Sequence, residues 1–206
     1  MIALVDYGLG NIQAFANIYK RLNIPAQAAR SSADLQAADK IVLPGVGAFD
    51  WAMTRLAASG MRACLDDLVL NGKRPVLGIC VGMQMMARRS DEGQLPGLGW
   101  IDAEVKRFDT RQSGRGLQLP HMGWNDAWPT ATDSLFRGIG SPRFYFLHSY
   151  FFEPGNAGQV LAMTEYGAPF ASAVQCGHVF GVQFHPEKSH GWGVQLLKNF
   201  AEMESC

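Results

Sequence analysis

The sequence predicts an α/β protein with a mostly parallel central sheet, flanking helices and a β-rich second half. Three observations carry this reading. Short apolar runs of strand length alternate with helical patterns through the first half of the chain; one such run turns sharply into a helix at Gly78-Ile79-Cys80-Val81-Gly82; and from Leu98 onward strand patterns follow one another with only turn residues between them. Ile2–Val5 reads as a buried strand, Asp6–Gly10 as a loop and Asn11–Leu22 as a helix. Lys40–Leu43 is the next strand and runs into Pro44-Gly45-Val46-Gly47-Ala48-Phe49, with helices expected over 49–58 and 61–70. Pro75–Leu77 is the strand before the sharp turn, and Met83–Ala87 is the helix-like stretch after it. In such sheets ligands bind outside the carboxyl ends of the strands, where Cys80 and the Pro44–Gly47 loop both fall.

In the second half, strands are expected over Trp100–Phe108, Arg143–Phe152, Gln159–Thr164, Phe170–Gln175 and Val179–Phe184. The last two form a hairpin across Cys176-Gly177-His178. A helix over His190–Met203 closes the sequence, with Ser189 as its N-cap and Gly191 and Gly193 weakening its first turn. The loop 109–116, rich in Arg, Gly and Ser, is expected to be the most mobile segment. Nothing reads as a repeat or linker, and residues 1–206 are expected to form a single domain.

Composition removes several function classes. Eighteen basic and eighteen acidic residues cancel, and no Lys/Arg run exceeds a pair, so the electrostatic footprint of a nucleic-acid binder is missing. The apolar opening Met1–Val5 is interrupted by Asp6 before it reaches signal-peptide or membrane-span length, so a cytoplasmic protein without membrane attachment is expected. The cysteines at 64, 80, 176 and 206 lack Cys-x-x-Cys spacing and the five histidines are scattered, so neither a metal site nor a disulfide framework is indicated. Gly8-x-Gly10 after the first strand lacks the third glycine of a dinucleotide fingerprint, since Gln13 stands there.

Two short motifs carry chemistry. Cys80 between glycines, at a strand-to-helix turn, is the thiol counterpart of a nucleophile elbow. The following helix amino terminus offers free N–H groups and a positive dipole, which favour a thiolate and an oxyanion. A cysteine among glycines is also commonly a small buried hydrophobe. In Phe180-Gly181-Val182-Gln183-Phe184-His185-Pro186-Glu187 an apolar alternation ends in a histidine and a carboxylate flanking a proline. Pro186 keeps His185 extended, and positions two apart on extended backbone share a side, so Glu187 can orient the imidazole. Singly, each also fits a plain structural role, His185 at a strand end and Glu187 as a capping acid. Together with the elbow they make a Cys80-His185-Glu187 triad.

With these motifs, and with Pro44-Gly45-Val46-Gly47, Pro120-His121-Met122-Gly123-Trp124-Asn125, Tyr145-Phe146-Leu147-His148-Ser149-Tyr150 and Lys188-Ser189, the whole chain resembles the class I, triad-type glutamine amidotransferases. The resemblance implies a flavodoxin-like sheet and hydrolysis of L-glutamine to glutamate and ammonia, with no cofactor. It also implies a heterodimer, in which ammonia is channelled to a (β/α)8-barrel cyclase that makes imidazole glycerol phosphate and aminoimidazole carboxamide ribotide for histidine synthesis. The N–H groups of Val81 and Val46 would hold the oxyanion, with a peptide flip at Val46 switching the second donor on. Gly47, Gln84, Ser149 and Tyr150 would hold the amino and carboxylate groups of glutamine, although Gln84 also reads as plain helix surface. His121, Trp124, Asn125, Tyr145 and Lys188 would face the partner, although aromatic residues at such spacing also fit a core. His190-Gly191-Trp192-Gly193 and Gly99-Trp100 are similar to a branch of the family that supplies ammonia for amidination of surface-polysaccharide sugars. The residues by themselves also fit a stand-alone cysteine hydrolase acting on γ-glutamyl peptides.

Overall fold

The computed structural model describes residues 1–111, 116–131 and 134–203. The first half is a run of strand–helix units: β1 (Ile2–Val5), α1 (Ile12–Arg21), β2 (Ala26–Ala29), α2 (Ser32–Gln36), β3 (Lys40–Gly45), α3 (Phe49–Ala58), α4 (Arg62–Leu70), β4 (Val76–Cys80) and α5 (Val81–Met85). The second half is mostly sheet: β5 (Arg89–Ser90), β6 (Ala103–Arg107), β7 (His121–Asp126), β8 (Trp128–Pro129), β9 (Arg143–His148), β10 (Tyr150–Pro154), β11 (Val160–Tyr166), β12 (Ala168–Cys176) and β13 (Val179–Val182), before α6 (His190–Glu202).

The main sheet runs in the order β2-β1-β3-β4-β13-β12-β10-β6-β5, with β11 on β12 and β8 on β11. The five strands β2, β1, β3, β4 and β13 are parallel to one another, and the sheet turns antiparallel where β12 joins β13. Every residue of β1, β3, β4 and β13 is buried, as expected of parallel strands covered on both faces. This explains why they read as unbroken apolar runs. Helix α1 starts where Asn11 Oδ1 accepts the Ala14 N–H at 3.1 Å and carries Lys20 and Arg21 in its last turn. Its inner face buries Phe15, Ile18 and Tyr19 at helical spacing; Phe15→Ala would cost about 3–5 kcal/mol.

Several expectations are corrected. The stretch Arg143–Phe152 is two strands, broken at Ser149: β9 pairs with β7 in a separate two-stranded sheet, and β10 pairs with β6 and β12. Strand β2 has no counterpart among the expected strands because Ala-Gln-Ala-Ala has no β-branched residue; pairing with β1 makes it a strand. The 176–178 hairpin forms as expected, with Cys176 paired to Val179. Ser189 stands at the N-cap position of α6 but does not cap with its side chain; its hydroxyl donates to the His185 carbonyl at 2.6 Å and accepts from the Tyr145 N–H at 3.0 Å. Part of the loop expected to be mobile, 112–115, and Cys206 lie outside the described residues.

Candidate active site

Cys80 is the last residue of β4 and precedes α5, with φ 55° and ψ −114°. A positive φ at a non-glycine residue is strained, and here the strain comes from the sharp strand-to-helix turn. The turn needs glycine behind it: a Cβ on Gly82 would stand 1.9 Å from the Leu43 carbonyl oxygen of β3. Helix α5 has only five residues, so its dipole is smaller than a full-length helix would supply, and the local contribution is the free N–H groups of one turn. The sulfur lies 3.8 Å from the Leu147 carbonyl oxygen and 3.7 Å from Gln183 Nε2.

His185 is extended, as expected before proline, and its N–H donates to the Tyr145 carbonyl at 2.8 Å. Glu187 reaches it by a different route from the one expected. Pro186–Lys188 is a 3-10 turn, and that turn, not extended alternation, brings Glu187 Oε1 to 2.9 Å from His185 Nδ1. Both side chains are nearly buried, at 3% and 4% exposure. Burial by itself would lower the His185 pKa, but hydrogen bonds to Cys80 and then Glu187 outweigh it and raise the pKa well above the usual imidazole value. This favours the imidazolium form of His185. Glu187 Oε2 is buried without a hydrogen-bond partner among the described residues.

A cavity of about 340 Å³ opens at this point, at the carboxyl ends of β3 and β4. It is lined by Cys80 and His185, by Val46 and Val81, and by Gly47, Gln84, Ser149 and Tyr150. Gln84 is 3% exposed, so it is not helix surface; its Nε2 donates to the Tyr150 carbonyl at 3.1 Å and to Gln183 Oε1 at 2.9 Å. The break between β9 and β10 is what delivers Ser149 and Tyr150 here. Lys188 also lines the cavity, with its ammonium 5.6 Å from the centre of the Tyr145 ring.

Glu92 lines the same cavity and has no counterpart among the residues expected from sequence. Its carboxylate accepts the Phe49 N–H at the start of α3, at 2.9 Å, and burial raises its pKa despite that bond. The loop is held in place by Asp50, which accepts from the N–H groups of Gln94 and Leu95. The Glu92 N–H also donates to the Ser90 hydroxyl at 3.1 Å, but it is the contacts to α3, distant in sequence, that set the loop against the cavity.

The residues expected to face a partner divide by strand alternation. On β7, His121 is 3% exposed and Asn125 half-buried, whereas Met122 and Trp124 are exposed. The cross-strand pairs Met122–Leu147 and Trp124–Tyr145 therefore build one outer face, while His121 lies opposite His148 on the inner face. His121 is corrected from a surface residue to a buried one, stacked on Phe146 and Tyr166 with centroids 4.7 and 3.9 Å away. Among the described residues no cluster of three or more His, Cys, Asp or Glu could hold a metal, and no helix is long and apolar enough to cross a membrane.

Cys80 and His185 thus line one cavity at the carboxyl ends of the parallel strands, with Glu187 on His185 Nδ1. The chain belongs to the glutamine amidotransferase class-I family, which matches residues 3–203. It is 58% identical over 204 residues to the imidazole glycerol phosphate synthase subunit HisH of Bdellovibrio bacteriovorus, covering 98% of this chain and 100% of that one. It is 48% identical to the same subunit from Leptospira interrogans and 46% identical to subunit HisH 2 from Pseudomonas aeruginosa, at the same coverage. The fold matches a crystal structure of a glutamine amidotransferase with a TM-score of 0.75 at 21% identity, covering 98% of this chain and 99% of that one. A glutamine amidotransferase from Thermotoga maritima matches with a TM-score of 0.67 at 17% identity, covering 98% of each chain.

Proposed function

We propose that the chain is the glutaminase subunit of an imidazole glycerol phosphate synthase. It hydrolyses L-glutamine at Cys80 and passes the ammonia to a (β/α)8-barrel cyclase subunit in histidine synthesis, residues 1–206 acting as one glutaminase domain. The observation that carries this reading is the line Cys80, His185, Glu187 at a cavity that also holds Gln84 and Glu92. The relatives named above support the assignment of the pathway.

The Cys80 thiolate attacks the side-chain amide carbon of glutamine, forming the S–C bond and moving charge onto the oxygen. The N–H groups of Val81 and Val46 receive this oxyanion; losing one such donor lowers rate by about 10²–10³-fold. His185 then gives its Nε2 proton to the nitrogen as the C–N bond breaks, releasing ammonia and leaving a thioester. Water enters, His185 takes its proton, and the attacking oxygen displaces the sulfur to give glutamate and regenerate the thiolate. Glu187 holds the Nδ1–H, so Nε2 faces the sulfur. Glu92 pairs with the α-ammonium of glutamine, and Gly47, Gln84, Ser149 and Tyr150 shape the rest of the pocket. The free thiols Cys64, Cys80 and Cys176 suit a reducing cytoplasm, and the balanced charge suits a small substrate over nucleic acid.

The test is glutamate release from glutamine by the purified chain, alone and with a cognate cyclase plus its formimino ligand, with Cys80→Ala as blank. Stimulation by cyclase and ligand is expected. Cys80-dependent activity that the cyclase never raises would overturn the pathway, and activity that survives Cys80→Ala would overturn the mechanism.

A further inference from the structure

Tyr7, just past β1, is 3% exposed and lies beneath the Pro44–Gly47 segment. Its phenol O–H donates to the Pro44 carbonyl at 2.8 Å, and its oxygen is 3.5 Å from the Met85 sulfur on α5. One hydroxyl therefore touches both elements that carry the proposed oxyanion donors, β3 leading to Val46 and the elbow helix that begins with Val81. The Pro44 carbonyl belongs to the peptide immediately before the one that bears the Val46 N–H.

The two sides of that peptide are held very differently. On the upstream side, the Pro44 ring lies against Gly10, so close that a Cβ there would stand 2.9 Å from Pro44 Cβ. Gly45 opposes the elbow: a Cβ on it would stand 2.5 Å from the Gly82 nitrogen and 3.1 Å from the Tyr7 hydroxyl. Downstream, Val46 is 40% exposed, and Gly47 sits at φ +88° with only Trp51 Cδ1, at 3.9 Å, near the position of a Cβ. A rotation of the Gly45–Val46 peptide thus has a fixed post before it and open space after it.

We propose that Tyr7 is a positioning residue for the glutaminase reaction: its hydroxyl pins the Pro44 carbonyl, so that the Val46 N–H turns into register with the Val81 N–H on the oxyanion. The proposal rests on the reading of Val46 and Val81 given above. Burial, and then the charge of Cys80, pushes the phenol pKa up, so the group stays a hydrogen-bond donor at every working pH.

The test is Tyr7→Phe, which keeps the ring in the core and removes only the hydroxyl, assayed in the complex with the cognate cyclase. The expected result is a kcat lower by about tenfold, the scale of a lost buried hydrogen bond, with the KM for glutamine and the rate of Cys80 alkylation by iodoacetamide unchanged. Glutamate γ-semialdehyde adds to the Cys80 sulfur to give an oxyanion without a leaving group. Its affinity should fall by the same factor. An unchanged kcat and aldehyde affinity would overturn the proposal, as would a kcat loss accompanied by raised KM and slowed alkylation, because that pattern marks a damaged pocket. If the wild-type complex has no Cys80-dependent glutaminase activity, the underlying reading falls and the proposal with it. An active wild type matched by Tyr7→Phe overturns the proposal alone.

Discussion

His121 Nδ1 lies 3.0 Å from His148 Nε2, and the direction of that hydrogen bond is fixed by the groups on either side. The Asn125 amide donates to His121 Nε2 at 3.2 Å, so His121 carries its proton on Nδ1 and donates to His148. His148 must then carry its own proton on Nδ1, which donates to the Tyr150 carbonyl at 2.8 Å. That carbonyl also accepts from Gln84, so two neutral histidines connect the β7 surface to the floor of the cavity.

Neutrality of this pair makes the fold acid-sensitive. Burial lowers the His121 pKa to about 4 and, with the neighbouring histidines, the His148 pKa to about 3. The unfolded chain takes up both protons as pH falls through about 6.5, while the folded chain refuses them until near those lower values. Stability should therefore drop below pH of about 6.5, each histidine adding a slope approaching about 1.4 kcal/mol per pH unit. His185 adds nothing to this slope: its folded pKa is raised, so below about 6.5 it is protonated in both states, and its stabilisation is lost as pH rises from there through the folded value. Urea unfolding between pH 4.5 and 6.5 reads the slope, and His121→Gln should flatten it by one proton. An unchanged slope would exclude neutral His121 as a contributor.

Glu187→Gln tests the orientation of the imidazole. The amide keeps the volume and a hydrogen-bond contact but removes the charge that helps raise the His185 pKa. Loss of a charge-assisted hydrogen bond of about 1.5–3 kcal/mol predicts a kcat lower by roughly 10- to 150-fold. The alkaline limb of the kcat/KM profile should move to lower pH, since imidazolium is no longer supported by the carboxylate. A profile that keeps its alkaline limb would assign the His185 pKa to Cys80 alone.

Glu92→Gln separates binding from chemistry. The amide oxygen can still accept the Phe49 N–H, so the loop keeps its anchor while the cavity loses its carboxylate. KM for glutamine should rise by roughly 10- to 150-fold with kcat nearly unchanged, the signature of a uniform binding contact. Glutaramate, which is glutamine without its amino group, should lose almost nothing on the same substitution. Equal losses for both substrates would show that Glu92 supports the pocket without meeting the ammonium.

Much of this site is legible in the sequence because its backbone requirements are local. Parallel strands covered on both faces read as apolar runs, Cys80 stands between glycines that its turn demands, and Pro186 fixes the backbone of His185. The parts that cannot be read this way depend on partners distant in sequence. Glu92 reaches the cavity on a loop held by Asp50 and Phe49 of α3, and the break at Ser149 appears only when β9 and β10 join different sheets. His121 is a different case: the alternation of β7 is present in the sequence, and period-two geometry splits across two faces a motif whose residues otherwise suggest one surface.

With the proposed cyclase partner, that split predicts a docking face. The outer face of β7 and β9 presents Met122 at 65% exposure and Trp124 and Leu147 at 37% each, and Val46 and Leu147 continue it to the cavity mouth. Trp124 is further ordered by a flat stack on His190, with ring centres 5.1 Å apart and planes 6° from parallel. A preordered aromatic at the centre of an apolar face is the usual anchor of an interface, and its truncation costs about 2 kcal/mol or more. Trp124→Ala should therefore raise the Kd for the cyclase subunit by roughly 30-fold or more, measured by titration calorimetry, while glutaminase activity of the free chain stays unchanged. Met122→Asp should weaken binding as well, by placing an unpaired charge in the contact. His121→Gln, buried behind the same strands, should bind with nearly native affinity, and a Trp124→Ala chain that bound as tightly as wild type would move the interface off this face.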